Sequence, residues 1–189
     1  SPDTGFASVF ASVPDTQLNT WSDNPAGNGE HYGSAYLFMA YILQRFGEDV
    51  TKAVVAHPAN GIVGIADALA ESGYAFTFQD VFADWAVANY VNDPNALNAE
   101  GVYGYQQLQA PKPTAEKTFR RYPVESKTTT VRNFGSDYLE LQGGGDVTFR
   151  FRGDTETRLA NLTPHSGQLM FWSNRADDSD SRLTRSFDF

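Results

Sequence analysis

The spacing of apolar residues changes near residue 112, and this change constrains the fold more than any other feature of the sequence. Upstream of it apolar residues recur at helical spacing, and downstream they alternate with polar residues, as in strands with one buried face. The proline-containing stretch 110–113 lies between the two patterns. The sequence therefore predicts an α+β chain with a helical subdomain over 1–110, a linker over 111–126 and an antiparallel β-rich accessory region over 127–189. We expect that region to be incomplete, because its last strand reaches the C-terminus without a closing polar tail.

The helical region is predicted to begin with an irregular loop, because Asp, Asn, Pro and Gly are frequent in the first thirty residues. Residues 35–43 are apolar on every face, which predicts a central helix surrounded by neighbours. Gly47 is predicted to end this helix. The clearest helix start is Thr77, which has an acidic residue, Asp80, three positions later, as in a capping box. The four predicted helices cover 30–47, 48–56, 62–71 and 77–92.

The downstream region contains four predicted strands. Residues 138–141 and 147–152 flank the glycine-rich stretch 143–146, which predicts a β-hairpin between them. Residues 169–172 and 183–189 are predicted to form two further strands.

The composition excludes several classes of function. A net charge of −9 argues against a nucleic-acid partner, because binding to phosphates needs a basic surface. No apolar run approaches the length of a membrane span; the longest covers only residues 35–43. The absence of cysteine removes disulfides, thiolate metal sites and cysteine nucleophiles.

The chain has only three histidines, and none belongs to a zinc motif. No HExxH is present, and no two histidines have the spacing of ligands on one helix, so a self-contained zinc site is not expected. His57 precedes a proline and is predicted to be a surface residue at a helix end, and His165 lies in a predicted turn. No G-x-S-x-G motif accompanies them, which argues against a serine hydrolase.

His31 and Tyr32 differ from the other candidates because they open the most apolar helix of the chain. The first turn of a helix has backbone N–H groups without intrahelical partners, and this environment suits a developing negative charge. The alternative is that Tyr32 packs its ring and hydrogen-bonds its hydroxyl locally, as most buried tyrosines do.

Two segments resemble a family of large bacterial metallopeptidases. Residues 30–47, EHYGSAYLFMAYILQRFG, resemble a helix of gluzincins of the hyicolysin-like and immune inhibitor A-like groups. Residues 76–90, FTFQDVFADWAVANY, resemble the closing helix of the same lobe. In that family an HExxH helix and a downstream NEGxxE-type helix bind zinc, and a segment of the HYGxAYLF kind follows. The resemblance implies a gluzincin-type helical lobe that lacks all three zinc ligands.

The resemblance implies that Tyr32 or His31 stabilises the oxyanion formed during peptide hydrolysis. Aminopeptidases of the wider gluzincin clan open a comparable helix with a tyrosine, followed three residues later by glycine, and the hydroxyl of that tyrosine binds the oxyanion. Tyr32 corresponds to it, although Ala35 stands at the glycine position. Thermolysin-like enzymes use a histidine that opens a downstream helix, which favours His31. The sequence leaves both candidates open.

Residues 172–189 resemble the start of the jelly-roll modules that are appended to such peptidases, which implies a sandwich-like or jelly-roll-like β-region. Three carboxylates in this segment are candidate calcium ligands, because Ca²⁺ prefers clustered oxygen donors: Asp177, Asp178 and Asp180. The alternative is a solvated acidic turn before a strand.

These observations lead to two expected functions. The first is the downstream part of a secreted, extracellular zinc-dependent endopeptidase, which shapes the active-site cleft but is not catalytic alone. Its partners would be a protein or peptide substrate and the N-terminal part of the same peptidase, which would contain the zinc. The alternative is a non-catalytic binding or scaffolding module in an extracellular assembly, which would use exposed aromatic residues and strand edges.

Overall fold

The chain is an α+β protein, as the change in periodicity predicts. The computed structural model describes residues 4–96, 101–142, 150–153, 157–163, 168–173 and 182–188. The chain divides into two compact units. The first unit consists of residues 1–11 and 22–112, and the second of residues 12–21 and 113–189.

The described part of the chain contains four α-helices. They are α1 (Gly5–Ser12), α2 (Gly29–Ala56), α3 (Gly61–Glu71) and α4 (Phe78–Val91), and a short 3-10 turn, Pro25–Gly27, precedes α2. Among these helices of the described residues, there is no candidate for a membrane-spanning segment.

Helix α1 lies where the sequence predicts an irregular loop, so that prediction is wrong for residues 5–12. A helix of only eight residues is not stable by itself and depends on tertiary packing. Ala7, Phe10 and Ala11 supply that packing, since all three are buried. Asp, Asn, Pro and Gly are concentrated in residues 22–29, whereas residues 6–13 are mostly apolar.

The helix ends that the sequence predicts from local chemistry are confirmed. Gly47 interrupts α2 with φ 87° and ψ 177°, which L-residues with a side chain rarely adopt. Thr77 caps α4: its side chain accepts from the backbone N–H of Asp80, and the carboxylate of Asp80 accepts from the backbone N–H of Thr77. This is the reciprocal pair of hydrogen bonds that defines a capping box.

The core of the first unit forms around Trp85 of α4, which is almost fully buried. Its indole ring lies 5.7 Å from the ring of Phe10, 5.3 Å from that of Phe38 and 5.5 Å from that of Phe82. This cluster joins α1, α2 and α4. Aromatic pairs at these distances contribute both buried area and favourable ring geometry.

The described residues of the second unit form seven strands in two sheets. The strands are β1 (Lys117–Phe119), β2 (Glu125–Arg132), β3 (Ser136–Leu141), β4 (Arg150–Gly153), β5 (Thr157–Thr163), β6 (Gln168–Ser173) and β7 (Arg182–Asp188). One sheet has the order β1-β3-β6-β5, in which β1 runs parallel to β3 and the other neighbours are antiparallel. The other sheet is antiparallel, with the order β2-β7-β4.

The predicted hairpin around residues 143–146 is wrong, because β3 and β4 belong to different sheets. β3 pairs with β1 and β6, and β4 pairs with β7. A glycine-rich stretch indicates where a strand ends, but it does not determine the strand with which that strand pairs. The pairing depends on which neighbouring strand buries the apolar face, and that neighbour can be distant in the sequence. A sandwich or jelly-roll arrangement of the two sheets stays a prediction.

Candidate functional site

The first turn of α2 is held by the loop that precedes it. Asn28 is buried, and its side chain bonds both backbone groups of Ser22: Oδ1 accepts from the N–H at 3.1 Å, and Nδ2 donates to the carbonyl at 2.9 Å. The carbonyl of Asn28 then accepts from the N–H of Tyr32 at 2.9 Å. The polar loop therefore fixes the point at which the helix begins.

Gly33 allows α1 to approach α2 closely beside this turn. A Cβ atom at position 33 would lie 2.0 Å from the carbonyl oxygen of Phe6 and 2.9 Å from Cβ of Phe10. Only glycine leaves room for this backbone contact. The approach brings the ring of Phe6 to 5.5 Å from the ring of Tyr32, so α1 also lies against the candidate residue.

The two candidate residues have different environments. His31 is 6% exposed, and its carbonyl accepts a hydrogen bond from the hydroxyl of Ser34, which is itself buried. Tyr32 is 49% exposed. A ligand can reach Tyr32 without a rearrangement of the helix, whereas His31 is buried. The catalytic role of each residue stays a prediction.

Tyr32 opens onto a pocket of about 1030 Å³ in the first unit, which we call the α2 pocket. Two stretches of chain form it, the outer face of α2 and the segment 105–108. The lining residues are Tyr32, Ala35, Tyr36, Met39, Ala40, Leu43, Gln44, Thr51, Tyr105, Gln106, Gln107 and Leu108. Such a volume lies at the upper end of the range of small-molecule and peptide sites.

The α2 pocket corrects the expectation that α2 is surrounded on every side. Leu37, Phe38 and Ile42 are buried, as expected for a central helix. However, Tyr36 is 37% exposed and Leu43 is 47% exposed, so one face of the helix is accessible to solvent. The exposed face of α2 is difficult to predict from the sequence, because apolar residues occupy both faces of the helix. Only the hydroxyl groups of the tyrosines at positions 32 and 36 distinguish the exposed face from the buried one.

Side chains of α2 hold the segment that forms the second part of the pocket. Nε2 of Gln44 donates to the carbonyl of Gly104 at 2.6 Å, and Oε1 of Gln44 accepts from the backbone N–H of Gln106. The hydroxyl of Tyr41 donates to the carbonyl of Val102 at 3.0 Å. No local pattern in the sequence identifies these contacts, because they join residues about sixty positions apart.

A buried hydrogen-bond network anchors Tyr105, one of the residues that line the pocket. Its hydroxyl donates to Oδ1 of Asn89 at 2.7 Å and accepts from Nε1 of Trp85 at 3.1 Å. All three side chains are almost fully buried. Buried polar groups of this kind are costly unless they are paired, so the network favours one position of the segment that carries Tyr105.

Arg45, which follows the lining residue Gln44 in the sequence, forms an ion pair within the first unit. Nη1 of Arg45 lies 2.7 Å from the carboxylate of Asp84 and donates to the hydroxyl of Tyr41 at 2.8 Å. The guanidinium also lies 4.8 Å from the centre of the ring of Phe76, a cation–π distance. Burial is the main reason that the pKa of the Tyr41 hydroxyl is raised far above its ordinary value, so this group stays a neutral donor.

The remaining candidates do not join this site. His57 caps the end of α2 as predicted, but its ring is only 11% exposed, so the predicted surface position is wrong. Its Nδ1 accepts from the N–H of Ala59 at 3.2 Å, which is a local structural role. His165 and the proposed calcium ligands lie outside the described residues: Asp177, Asp178 and Asp180. Within the described ranges, no three His, Cys, Asp or Glu side chains are grouped so that they could hold a metal ion.

Comparisons with known proteins add no assignment to this geometry. No protein-family model matches the chain, and neither a curated protein nor a solved structure is significantly similar to it. The proposed function below therefore depends on the residues of the site.

Proposed function

We propose that this chain is the downstream part of a secreted zinc-dependent endopeptidase of the gluzincin type, which forms one wall of the active-site cleft and is not catalytic alone. The resemblance of residues 30–47 and 76–90 to the helices of such a lobe supports this proposal. The two segments are largely α2 and α4, which share the aromatic core around Trp85.

The observation that carries the proposal is the position of Tyr32. It lies in the first turn of α2, is half exposed, and borders a pocket large enough for several residues of a peptide. In the proposed mechanism the hydroxyl of Tyr32 donates a hydrogen bond to the substrate carbonyl oxygen as negative charge develops on it. Tyr32 is favoured over His31 because the ring of His31 is buried.

The zinc ion of this proposal belongs to another part of the polypeptide. The described residues do not fit a zinc site, since no group of three ligands occurs among them. The contribution proposed for this chain is therefore limited to a hydrogen-bond donor and a surface that orients the substrate. The second unit is proposed to be an accessory module of the sandwich or jelly-roll type, with calcium at Asp177, Asp178 and Asp180.

The test is the substitution Tyr32→Phe in the polypeptide that contains the zinc-binding part. Loss of one oxyanion donor lowers kcat by roughly 100- to 1000-fold and leaves KM nearly unchanged, because the bond forms mainly in the transition state. Tyr36→Phe is the matched control, since Tyr36 lies one turn later and lines the same pocket. Hydrolysis of a fluorogenic peptide measures both constants. An unchanged kcat for Tyr32→Phe would remove Tyr32 from the mechanism.

The alternative is a non-catalytic binding module in an extracellular assembly. The exposed apolar side chains of α1 favour it, because Phe6 is 57% exposed, Val9 is 41% exposed, and Phe6 continues the apolar surface of Tyr32. Zinc analysis of the secreted polypeptide separates the two functions. Stoichiometric zinc with peptidase activity supports the first, and a metal-free, inactive polypeptide supports the second.

A further inference from the structure

We propose that the α2 pocket binds a short peptide segment with uncharged, apolar side chains. The identity of this ligand as a polypeptide substrate rests on the proposed function. The binding itself involves only residues of this chain and needs no metal.

The size of the α2 pocket favours a peptide over a single side chain. Sites of roughly 300–1000 Å³ enclose most of a drug-sized molecule. The α2 pocket reaches about 1030 Å³, and its lining extends from Tyr32 to Thr51 along α2. Two or more adjacent side chains of an extended ligand are therefore needed to fill it.

The charge distribution favours an uncharged ligand. Every lining side chain among the described residues is uncharged, although the chain as a whole carries 23 acidic and 14 basic residues. Two cations adjoin lining residues in the sequence, and both are paired: Arg45 with Asp84, and Lys52 with Glu48. A charged side chain in the pocket would lose its hydration without gaining a partner, and this loss weakens binding.

The lining side chains match an apolar peptide in shape and in hydrogen bonding. Met39 is flexible and polarizable, so it adapts to side chains of different shape. The rings of Tyr32 and Tyr36 present apolar faces, and aromatic or aliphatic side chains pack well against such faces. The side-chain amides of Gln106 and Gln107 are suitable partners for the N–H and carbonyl groups of a peptide backbone.

The experiment is isothermal titration calorimetry of the 189-residue chain with two blocked tetrapeptides. The first is acetyl-Ala-Phe-Leu-Ala-amide and the second is acetyl-Ala-Lys-Lys-Ala-amide. The basic peptide is a stringent control, because the net charge of −9 attracts it nonspecifically. We expect the apolar peptide to bind at least tenfold more tightly, with a negative heat-capacity change from the burial of apolar surface.

Two pocket variants and one control locate the binding. Leu43→Asp places a charge on the lining, and Ala40→Phe fills volume without a charge; each should weaken the apolar peptide tenfold or more. Val63→Asp is the matched control, because Val63 is 59% exposed and does not line the pocket, and it should leave binding unchanged. Circular dichroism checks that all three variants are folded.

Three outcomes overturn the inference. They are no binding of the apolar peptide at millimolar concentration, equal binding of both peptides, and a loss of affinity that Val63→Asp shares with Leu43→Asp. A fourth overturning outcome comes from sedimentation analysis. If the wild-type chain forms a dimer and Leu43→Asp dissociates it, the α2 pocket is occupied by a second copy of the chain and not by a peptide. Peptide binding combined with an unchanged kcat for Tyr32→Phe in the larger polypeptide would refute the proposed peptidase role and leave this inference standing.

Discussion

The substitution Gly33→Ala is expected to destabilise the first unit, although alanine is the better helix former. Gly33 lies inside α2, where replacement of glycine by alanine otherwise stabilises a helix by about 1 kcal/mol. The new Cβ atom would lie 2.0 Å from the carbonyl oxygen of Phe6. Ordinary carbon–oxygen contacts are about 3.3 Å or longer, so α1 must move away by more than about 1 Å.

The magnitude follows from what α1 loses when it moves. Phe10 is 2% exposed and its ring lies 5.7 Å from that of Trp85. Complete loss of a buried phenylalanine side chain costs about 3–5 kcal/mol. A displaced α1 loses a large part of this contribution, and the gain in helix propensity offsets about 1 kcal/mol, so we expect a net destabilisation of about 2–4 kcal/mol.

Urea unfolding monitored by tryptophan fluorescence measures the effect, because Trp85 is stacked on Phe10 and its emission changes when α1 detaches. The two units are evaluated as separate transitions where they unfold separately. The matched control is Gly29→Ala in the same helix, whose Cβ would make only an ordinary contact of 3.5 Å with Val9. A Gly33→Ala protein as stable as Gly29→Ala would refute the close approach of α1 to α2.

Two further changes test the capping box and the buried network. Thr77→Ala removes a side-chain cap of α4 and should lower the free energy of unfolding by about 1 kcal/mol at pH 7, measured by urea unfolding. Two hydrogen bonds from Thr77 lower the pKa of Asp80 below its ordinary value of 3.8. The bond from the side chain of Thr77 has the larger effect, and the bond from its backbone N–H the smaller. This stabilisation is present above the ordinary pKa of the carboxyl and is lost as the pH falls through the lowered pKa. The difference between Thr77→Ala and wild type should therefore shrink in acid; a constant difference would contradict the assignment. Tyr105→Phe leaves Asn89 and Trp85 without their buried partner and should cost about 2 kcal/mol in thermal or urea unfolding, whereas a change below 0.5 kcal/mol would show that the network contributes little.

Several elements of the fold were predictable because their cause lies within a few residues. The capping box of Thr77 and Asp80 involves only a three-residue spacing, and the structure has it where the sequence places it. Gly47 likewise breaks α2 where the sequence predicts an end. The partner of β3 was not predictable in this way, because it depends on the edges of β1 and β6 and not on the glycine-rich stretch after it.

The candidate site was predictable only in part. The sequence indicates residues 31 and 32 because they open an apolar helix after a polar loop. It does not distinguish the buried His31 from the half-exposed Tyr32, because neighbouring positions on a helix point about 100° apart and the burial of each depends on what packs there. The contribution of Gln106 to the pocket depends on its backbone bond to Gln44, a contact that no local spacing encodes.

The amino-acid sequence is sufficient to predict the division into a helical and a strand-rich region, the cap of α4 and the break at Gly47. These features follow from periodicity and from side-chain chemistry that acts over one or two turns of the chain. Three other features depend on the folded chain: the helix at residues 5–12, the exposed face of α2, and the pocket that residues 105–108 complete beside Tyr32. They depend on it because burial and close backbone approach, such as that of Phe6 to Gly33, are properties of segments that meet only after folding.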